Sequence, residues 1–219
     1  MKADLKPSAH REICDTCRRA KTICFCGKVK SFAAGPSLVL LTHPKESRKA
    51  IGTARIVHRC IENSILIRGN GTDFDRNEKL QALLASEEYH SVLLYPGKQA
   101  LNLTEISPED FQKLPYFKKK WRVVLVDGTW AQANRMLKES NLLKTLPQIC
   151  FTPKAVSNYR IRKEPKPAYV STLEASHSLL KILSELGRYP TPLGAENLLE
   201  VFDWMVDLQI EYHRAHSLI

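Results

Sequence analysis

Three residues that could take part in chemistry, Asp127, Thr129 and Trp130, follow directly after the apolar run from Val123 to Val126. A carboxylate can hold a hydroxyl or an amine, or it can accept a proton. An indole ring offers a flat surface on which a base can stack. An ordinary turn with a helix N-cap and a core tryptophan would use the same residue types. The turn alone is therefore consistent both with a ligand site and with a purely structural corner.

A second group with possible chemistry consists of four clustered cysteines, Cys14, Cys17, Cys24 and Cys26. Four thiolates fit tetrahedral Zn²⁺, and a closed set of this kind leaves no open position for catalysis. An iron–sulfur cluster is the alternative metal centre. A disulfide pair fits a cytoplasmic chain least well. The spacing predicts a small N-terminal zinc knuckle in which the metal is structural.

These groups need a scaffold, and the apolar pattern predicts an α/β fold with a mostly parallel sheet flanked by helices. The run from Val123 to Val126 is short and continuous, as in a strand buried on both faces, and good helix formers follow it. In open α/β sheets, ligands bind beyond the carboxyl ends of the strands, which is where Asp127, Thr129 and Trp130 would lie. Four similar runs predict further strands at 37–42, 64–68, 91–95 and 148–152. Residues 98–121 are predicted to be irregular, with Pro108 and Pro115 as breakers.

The predicted strand 91–95 ends in a second turn that is suited to a ligand. Tyr95, Pro96 and Gly97 form this turn, and we expect them at the same edge of the sheet as Asp127. We expect the chain to divide into an N-terminal metal-binding segment with four cysteines, 1–30, and a main domain, 36–219, that would contain any catalytic site. It has no G-x-G-x-x-G sequence, which argues against a Rossmann dinucleotide site.

The charge balance favours a polyanionic partner. The chain has 219 residues, with 33 Lys and Arg against 23 Asp and Glu, a net charge of +10. Such an excess raises the odds of nucleic acid binding, although a merely basic protein would show it too. Pro44 is expected to start a helix that runs to Arg59. The candidate phosphate contacts in this helix and in the proline-rich segment 158–169 are Lys45, Arg48, Lys49, Arg55, Arg160, Arg162 and Lys163.

Several of these stretches together resemble one known family. Asp127-Gly128-Thr129-Trp130 matches the Asp-x-Thr-Trp signature of the DTW-domain family, and the resemblance extends from the cysteine cluster to the helix after Glu174. Some relatives have asparagine where this chain has Gly52, which removes any role for an amide there. The other matching positions are Glu46, Lys49, Thr53, Arg55 and Thr172.

The resemblance implies a function. Close relatives resemble tRNA-uridine aminocarboxypropyltransferases (EC 2.5.1 class), which transfer the 3-amino-3-carboxypropyl group of S-adenosylmethionine to N3 of a uridine in tRNA. It also implies a SPOUT-like fold with a C-terminal knot and a structural metal in the cysteine cluster. Asp127 would be the general base or would hold the amine of the donor. The donor would bind to Tyr95, Pro96, Gly97, Asp127, Thr129, Trp130, Thr172 and Glu174.

Two other functions fit the same residues. A SPOUT-like RNA methyltransferase would use the same donor in a different pose, and a zinc-containing RNA-binding protein would lack chemistry altogether. The sequence shows no apolar run long enough for a membrane span and no secretion signal, so a cytoplasmic protein is expected. The oligomeric state stays open, with a monomer slightly favoured.

Overall fold

A computed structural model describes residues 12–49, 52–154, 157–158 and 170–216 of the chain. Within these residues, six strands form one sheet in the order β2-β1-β5-β3-β6-β4, and all of the pairings are parallel. The mostly parallel α/β sheet that the sequence predicts is therefore confirmed. The strands are β1 (Ser37–Thr42), β2 (Ser64–Arg68), β3 (Tyr89–Leu94), β4 (Leu101–Asn102), β5 (Lys120–Asp127) and β6 (Gln148–Cys150).

Helices cover both faces of this sheet. Short 3-10 turns occur at Lys21–Ile23, Cys26–Lys28 and Glu46–Arg48. No helix among the described residues has both the length and the apolar character needed to cross a membrane. The α-helices in this part of the chain are α1 (Thr53–Cys60), α2 (Gly71–Asp75), α3 (Glu78–Ala85), α4 (Pro108–Gln112), α5 (Trp130–Glu139), α6 (Asn141–Lys144), α7 (Thr172–Glu185) and α8 (Glu196–His216).

The alternation of side chains along β1 divides the core into two layers. Leu38 and Leu40 pack in a cluster with α1, α7 and α8, whereas Val39 and Leu41 pack in a second cluster with α2, α3 and α5. All four side chains are fully buried, as expected for a central strand between two helical layers. The sheet is thus held from both sides, and its carboxyl edge is a fixed platform for the site.

The cysteine knuckle joins the first of these layers. Cys17 and Phe25 are fully buried in the same cluster as residues of α8. The carbonyl oxygen of Lys28 and the backbone N–H of Lys30 both bind the side chain of Asn197. The knuckle thus packs directly on the rest of the protein. The division of the chain into 1–30 and 36–219 stays a prediction.

Two local predictions were wrong, and each has a physical reason. A helix from Pro44 to Arg59 is not formed, because Gly52 is extended (φ −67°, ψ 111°) and α1 begins only after it. Lys45, Arg48 and Lys49 therefore precede the helix. The stretch 98–121, predicted as irregular, contains β4 and α4. Pro108, interpreted as a breaker, instead starts α4, with Ser107 as its cap.

Candidate active site and metal centre

Asp127 is the last residue of β5, the strand between β1 and β3. Only 5% of its surface is exposed. Its Oδ1 accepts a hydrogen bond from Thr172 Oγ1 at 2.8 Å and a longer one from Thr53 Oγ1 at 3.4 Å. The two threonines are the first residues of α7 and α1. Oδ1 is therefore held by hydroxyl donors from the starts of two different helices.

A cavity of about 290 Å³ opens beside this carboxylate. Thr53 and Thr172, the residues that hold Asp127, both line it, whereas Asp127 itself is not a lining residue. The wall takes residues from the carboxyl ends of β3, β5 and β6, which is the position expected for a ligand in a parallel sheet. The remaining lining residues are Leu94, Tyr95, Pro96, Leu125, Val126, Gly128, Trp130, Ala133, Cys150, Phe151, Thr152, Pro153, Val170, Ser171 and Ala175.

An aromatic pair forms one part of this cavity. The ring centroids of Tyr95 and Trp130 are 6.2 Å apart, with 47° between the ring planes. The hydroxyl of Tyr95 donates to Asn134 Oδ1. Tyr95, Pro96 and Trp130 thus lie in the wall of one cavity, although they come from different strand ends. Gly97 lies outside this wall, and a Cβ there would come within 1.8 Å of Gln148 Oε1, the end of a flexible side chain that could move aside.

Thr129 and Glu174 are engaged in helix capping. The Thr129 hydroxyl accepts from the backbone N–H of Gln132, and Gln132 Oε1 accepts from the backbone N–H of Thr129. Glu174 accepts from the backbone N–H groups of Ser171 and Asn158, and from the Ser157 hydroxyl. Neither residue lines the cavity beside Asp127. Their predicted contact with a cofactor stays a prediction.

A second cavity of about 350 Å³ adjoins the first. The two share Phe151, Thr152, Pro153 and Val170 as a common wall. The second cavity has a more polar set of lining side chains, which includes charges of both signs. These polar residues are Thr104, Lys154, Ser157, Asn158, Glu174, His177, Ser178, Lys181, Glu185 and Asp203.

Of the predicted phosphate contacts, three lie together in residues 45–49, which we call the cationic loop. Lys45, Arg48 and Lys49 are at the surface, and Lys49 Nζ is 2.7 Å from the buried carboxylate of Glu46. Arg55 is different, because its guanidinium donates to the carbonyl oxygens of Cys17 at 2.7 Å and Ser47 at 2.5 Å. The remaining candidates, Arg160, Arg162 and Lys163, lie outside the described residues.

The four cysteines are arranged as a metal site. All four Sγ atoms lie within 4.8 Å of one another, with 3.9 Å between Cys14 and Cys26 and 3.6 Å between Cys17 and Cys24. A tetrahedral zinc with Zn–S bonds of about 2.3 Å has sulfur atoms about 3.8 Å apart. The thiols therefore already have the spacing that a Zn²⁺ ion requires.

The electrostatics of the thiols agree with this interpretation. Hydrogen bonds from the backbone N–H groups of Cys17 and Thr16 lower the pKa of Cys14 to about 6. Burial, together with the neighbouring thiols, raises the pKa of Cys26 to about 12. Without a cation, close thiols resist becoming thiolates together, whereas a divalent ion stabilises them all. The donor set fits zinc.

Sequence reasoning missed parts of the site that come from distant segments. Thr53 was noted only as a motif residue, yet it binds Asp127 and lines the cavity. His43 was not singled out, although its backbone N–H donates to the Asp127 carbonyl. Burial lowers the pKa of His43, and its Nδ1 accepts from the backbone N–H of Lys45, so the ring is neutral near pH 7. The available signal for His43 was its position directly after the predicted strand 37–42, whereas Thr53 fell inside the predicted helix that is not formed.

The fold and the site together define a parallel α/β protein with a ligand cavity at the strand ends and a four-thiol knuckle. The DTW domain matches residues 11–210, and the chain belongs to the DTW-domain family. It is 30% identical to tRNA-uridine aminocarboxypropyltransferase 2 of Drosophila melanogaster over 182 residues, 81% of this chain and 68% of the fly protein.

Two mammalian relatives bear the same name. The protein of Mus musculus is 25% identical over 177 residues, and that of Macaca fascicularis is 25% identical over 183. These matches cover 80% and 83% of this chain, but only 57% and 59% of the relatives. No solved structure matches the chain significantly.

Proposed function

We propose that this chain is a tRNA-uridine aminocarboxypropyltransferase that uses S-adenosylmethionine. The observation that supports it most is the buried carboxylate of Asp127, held by hydroxyls of Thr53 and Thr172 that also line the cavity. The relatives named above are tRNA-uridine aminocarboxypropyltransferases. A carboxylate with only a structural role would not need hydrogen-bond partners that also line a cavity.

The cavity beside Asp127 is the proposed donor site. Its wall is largely apolar apart from three threonines and Ser171, and Tyr95 and Trp130 offer ring faces for an adenine. When bound, S-adenosylmethionine supplies a sulfonium whose amino-acid arm contains the electrophilic carbon. The chain must place that arm, and not the methyl group, toward the acceptor base.

Asp127 has two chemical uses in this arrangement. Uridine N3 is a weak nucleophile until its proton leaves, and an ionised carboxylate can accept that proton. The same carboxylate can instead hold the ammonium group of the donor. Both uses require the charged form, which the hydroxyls of Thr172 and Thr53 stabilise. Replacement by the isosteric amide distinguishes the two, as described in the Discussion.

We assign the acceptor uridine of the tRNA to the second cavity. This cavity shares Phe151–Pro153 and Val170 with the donor site, so two bound ligands would be neighbours. Ser178 and Lys181 offer donors for the carbonyl groups of a uracil. Its carboxylates would repel phosphate, so a base suits it better than a backbone segment.

The tRNA backbone is assigned to the cationic loop and to Arg160, Arg162 and Lys163. Lys45 and Arg48 give this surface its charge close to the end of β1. Each phosphate contact should make binding weaker in salt, with a slope of about one per contact. Replacing Lys45 and Arg48 together by Gln should reduce the slope of log Kd against log salt by about two. An unchanged slope would remove this loop from the tRNA surface.

Cys14, Cys17, Cys24 and Cys26 would hold a structural Zn²⁺. Zinc would fix a segment that is too short to build its own core. The proposal includes a SPOUT-like knot, which rests on the resemblance alone, a cytoplasmic location, which rests on the sequence pattern, and an oligomeric state for which a monomer is slightly favoured. The double variant Cys14→Ser with Cys17→Ser should lose zinc on elemental analysis. Full zinc content in that variant would exclude these thiols as ligands.

The test of the function is incubation of the purified protein with bulk tRNA and donor labelled in its amino-acid portion. We expect a 3-amino-3-carboxypropyl adduct on uridine in mass spectra of the digested nucleosides. A methyl adduct would instead indicate a methyltransferase with the same donor. Failure of the protein to bind S-adenosylmethionine in calorimetry would instead favour the third function, a non-enzymatic RNA-binding protein. Asp127→Asn protein serves as the matched control, because it keeps the size of the side chain.

A further inference from the structure

Arg55 lies where three parts of the molecule meet. Its Nη1 donates to the carbonyl oxygen of Cys17 at 2.7 Å, and its Nη2 donates to that of Ser47 at 2.5 Å. Cys17 belongs to the thiol cluster, and Ser47 belongs to the cationic loop. A guanidinium is planar and directs its donors rigidly, so it fixes the two carbonyls relative to α1.

The same helix extends this contact to the donor site. Thr53, two residues before Arg55, is the first residue of α1 and donates to Asp127. It also lines the donor cavity. A continuous chain of contacts therefore runs from Cys17 through Arg55 and α1 to Thr53 and Asp127.

Other contacts of the knuckle lead elsewhere. Arg19 Nη2 contacts Met205 Sδ at 3.4 Å, and the backbone N–H of Lys30 donates to Asn197 Oδ1 at 2.7 Å. Both of these partners lie on α8. They dock the knuckle on the core but do not touch the cationic loop or Asp127. Of these three contacts, that of Arg55 with Cys17 is the one made by a residue of α1.

We propose that Arg55 is a positioning residue that couples the metal state of the knuckle to the donor site and the cationic loop. Bound metal holds the backbone around Cys17, and that backbone supplies one of the acceptors for Arg55. Loss of metal would release this acceptor, loosen the cationic loop and weaken the hold of Thr53 on Asp127. The identity of the ligand rests on the proposed function, whereas the coupling itself does not.

Amide hydrogen exchange tests this coupling without a substrate. The full-length protein is compared with zinc and after chelation, as wild type, Arg55→Met and Arg59→Met. Arg59 is exposed on the same helix and provides the matched control. Peptides covering 12–28, 43–49 and 53–60 report on the knuckle, the loop and α1, and peptides from β1 and β5 report on the global fold.

In the wild type and in Arg59→Met, chelation should speed exchange in 12–28, 43–49 and the start of 53–60. In zinc-loaded Arg55→Met, 43–49 should already exchange rapidly, and chelation should add little there. The proposal is wrong if chelation affects only 12–28 in the wild type, or if Arg55→Met matches Arg59→Met. If chelation also speeds exchange in the β1 and β5 peptides, the test of the coupling is the difference in exchange between zinc-loaded Arg55→Met and zinc-loaded Arg59→Met.

Calorimetry with S-adenosylmethionine extends the test to the ligand. A coupling of ordinary size predicts a donor Kd about 5- to 150-fold higher in zinc-loaded Arg55→Met than in Arg59→Met. Linkage requires the reciprocal effect, so the donor should increase the zinc affinity of Arg59→Met but not that of Arg55→Met. Equal Kd values would overturn the link to the donor site. Absence of donor binding to the wild type would instead contradict the proposed function and leave the exchange result to decide the coupling.

Discussion

Two corners of this protein use an aspartate in contrasting ways. Asp75, at the end of α2, accepts from the Ser140 hydroxyl at 2.6 Å and from the backbone N–H groups of Asn141 and Leu142 at 2.9 and 3.0 Å. Asp127, at the end of β5, binds threonine hydroxyls that line a cavity. The first carboxylate caps α6, whereas the second lies beside a volume that can take a ligand.

The contrast suggests which hydrogen-bond partners distinguish a structural carboxylate from one with a proposed role in function. Backbone N–H groups are orphaned at every helix start, and a carboxylate that satisfies them stabilises the fold. Threonine hydroxyls have no such need, because they can reach solvent or other partners. Thr53 and Thr172 instead converge on one oxygen from two helices that are distant in sequence. Such convergence stabilises charge at a chosen point.

The largest expected effect is that of Asp127→Asn on transfer. Loss of the charge should reduce aminocarboxypropyl transfer at least about 100-fold, the lower range for a general base. The amide has the same size and can still accept from Thr172, so the melting temperature should stay within a few degrees. Turnover measured by nucleoside mass spectrometry, with thermal unfolding in parallel, checks both. A donor Kd that rises in this variant identifies an anchor, whereas an unchanged Kd identifies a base.

Removal of the hydroxyls should have an intermediate effect. Thr172→Val keeps the branched shape and removes a hydrogen bond to a charged group, which is worth about 1.5–3 kcal/mol. Transfer should therefore fall about tenfold or more. Thr53→Val should have a smaller effect, because its bond to Asp127 is longer, 3.4 Å against 2.8 Å. Equal transfer activity of Thr172→Val and wild type would show that the hydroxyl partner of Asp127 does not serve transfer, and the proposed difference between Asp127 and Asp75 would be wrong.

Asp75→Asn should affect stability and leave transfer unchanged. Weakening a cap of this kind costs about 1 kcal/mol of unfolding free energy. Denaturant unfolding measures the loss, and the transfer assay provides the comparison with Asp127→Asn. A large loss of transfer without unfolding would show that the corner at Asp75 also serves the site.

The smallest effect concerns pH. Burial raises the pKa of Asp75, but hydrogen bonds from Ser140, Asn141 and Leu142 outweigh it and leave the pKa below its usual value. A depressed folded-state pKa stabilises the protein above the unfolded pKa, near 3.8. That contribution is lost as the pH falls through the folded pKa. The difference in unfolding free energy between wild type and Asp75→Asn should therefore shrink below about pH 4, and a constant difference would contradict it.

The local elements could be predicted from sequence because their signals are local. The bounds of β1 and β2 agree with their apolar runs, and β5 extends its run by three residues at the start and by one at the end. The turn at Asp127 and the clustered cysteines were evident for the same reason. Gly52 and Pro108 misled the prediction, because an extended glycine ended one expected helix and a proline started another.

The sequence by itself determined the alternation that buries β1 on two faces, the strand end at Asp127 and the four thiols that suit one metal. Only the tertiary structure brought Thr53 and Thr172 onto Asp127 Oδ1 and Arg55 onto the Cys17 carbonyl. The reason is that strand and helix patterns repeat over a few residues, whereas these contacts join segments tens of residues apart. Strand order and helix packing decide which such segments meet, and no local pattern encodes them.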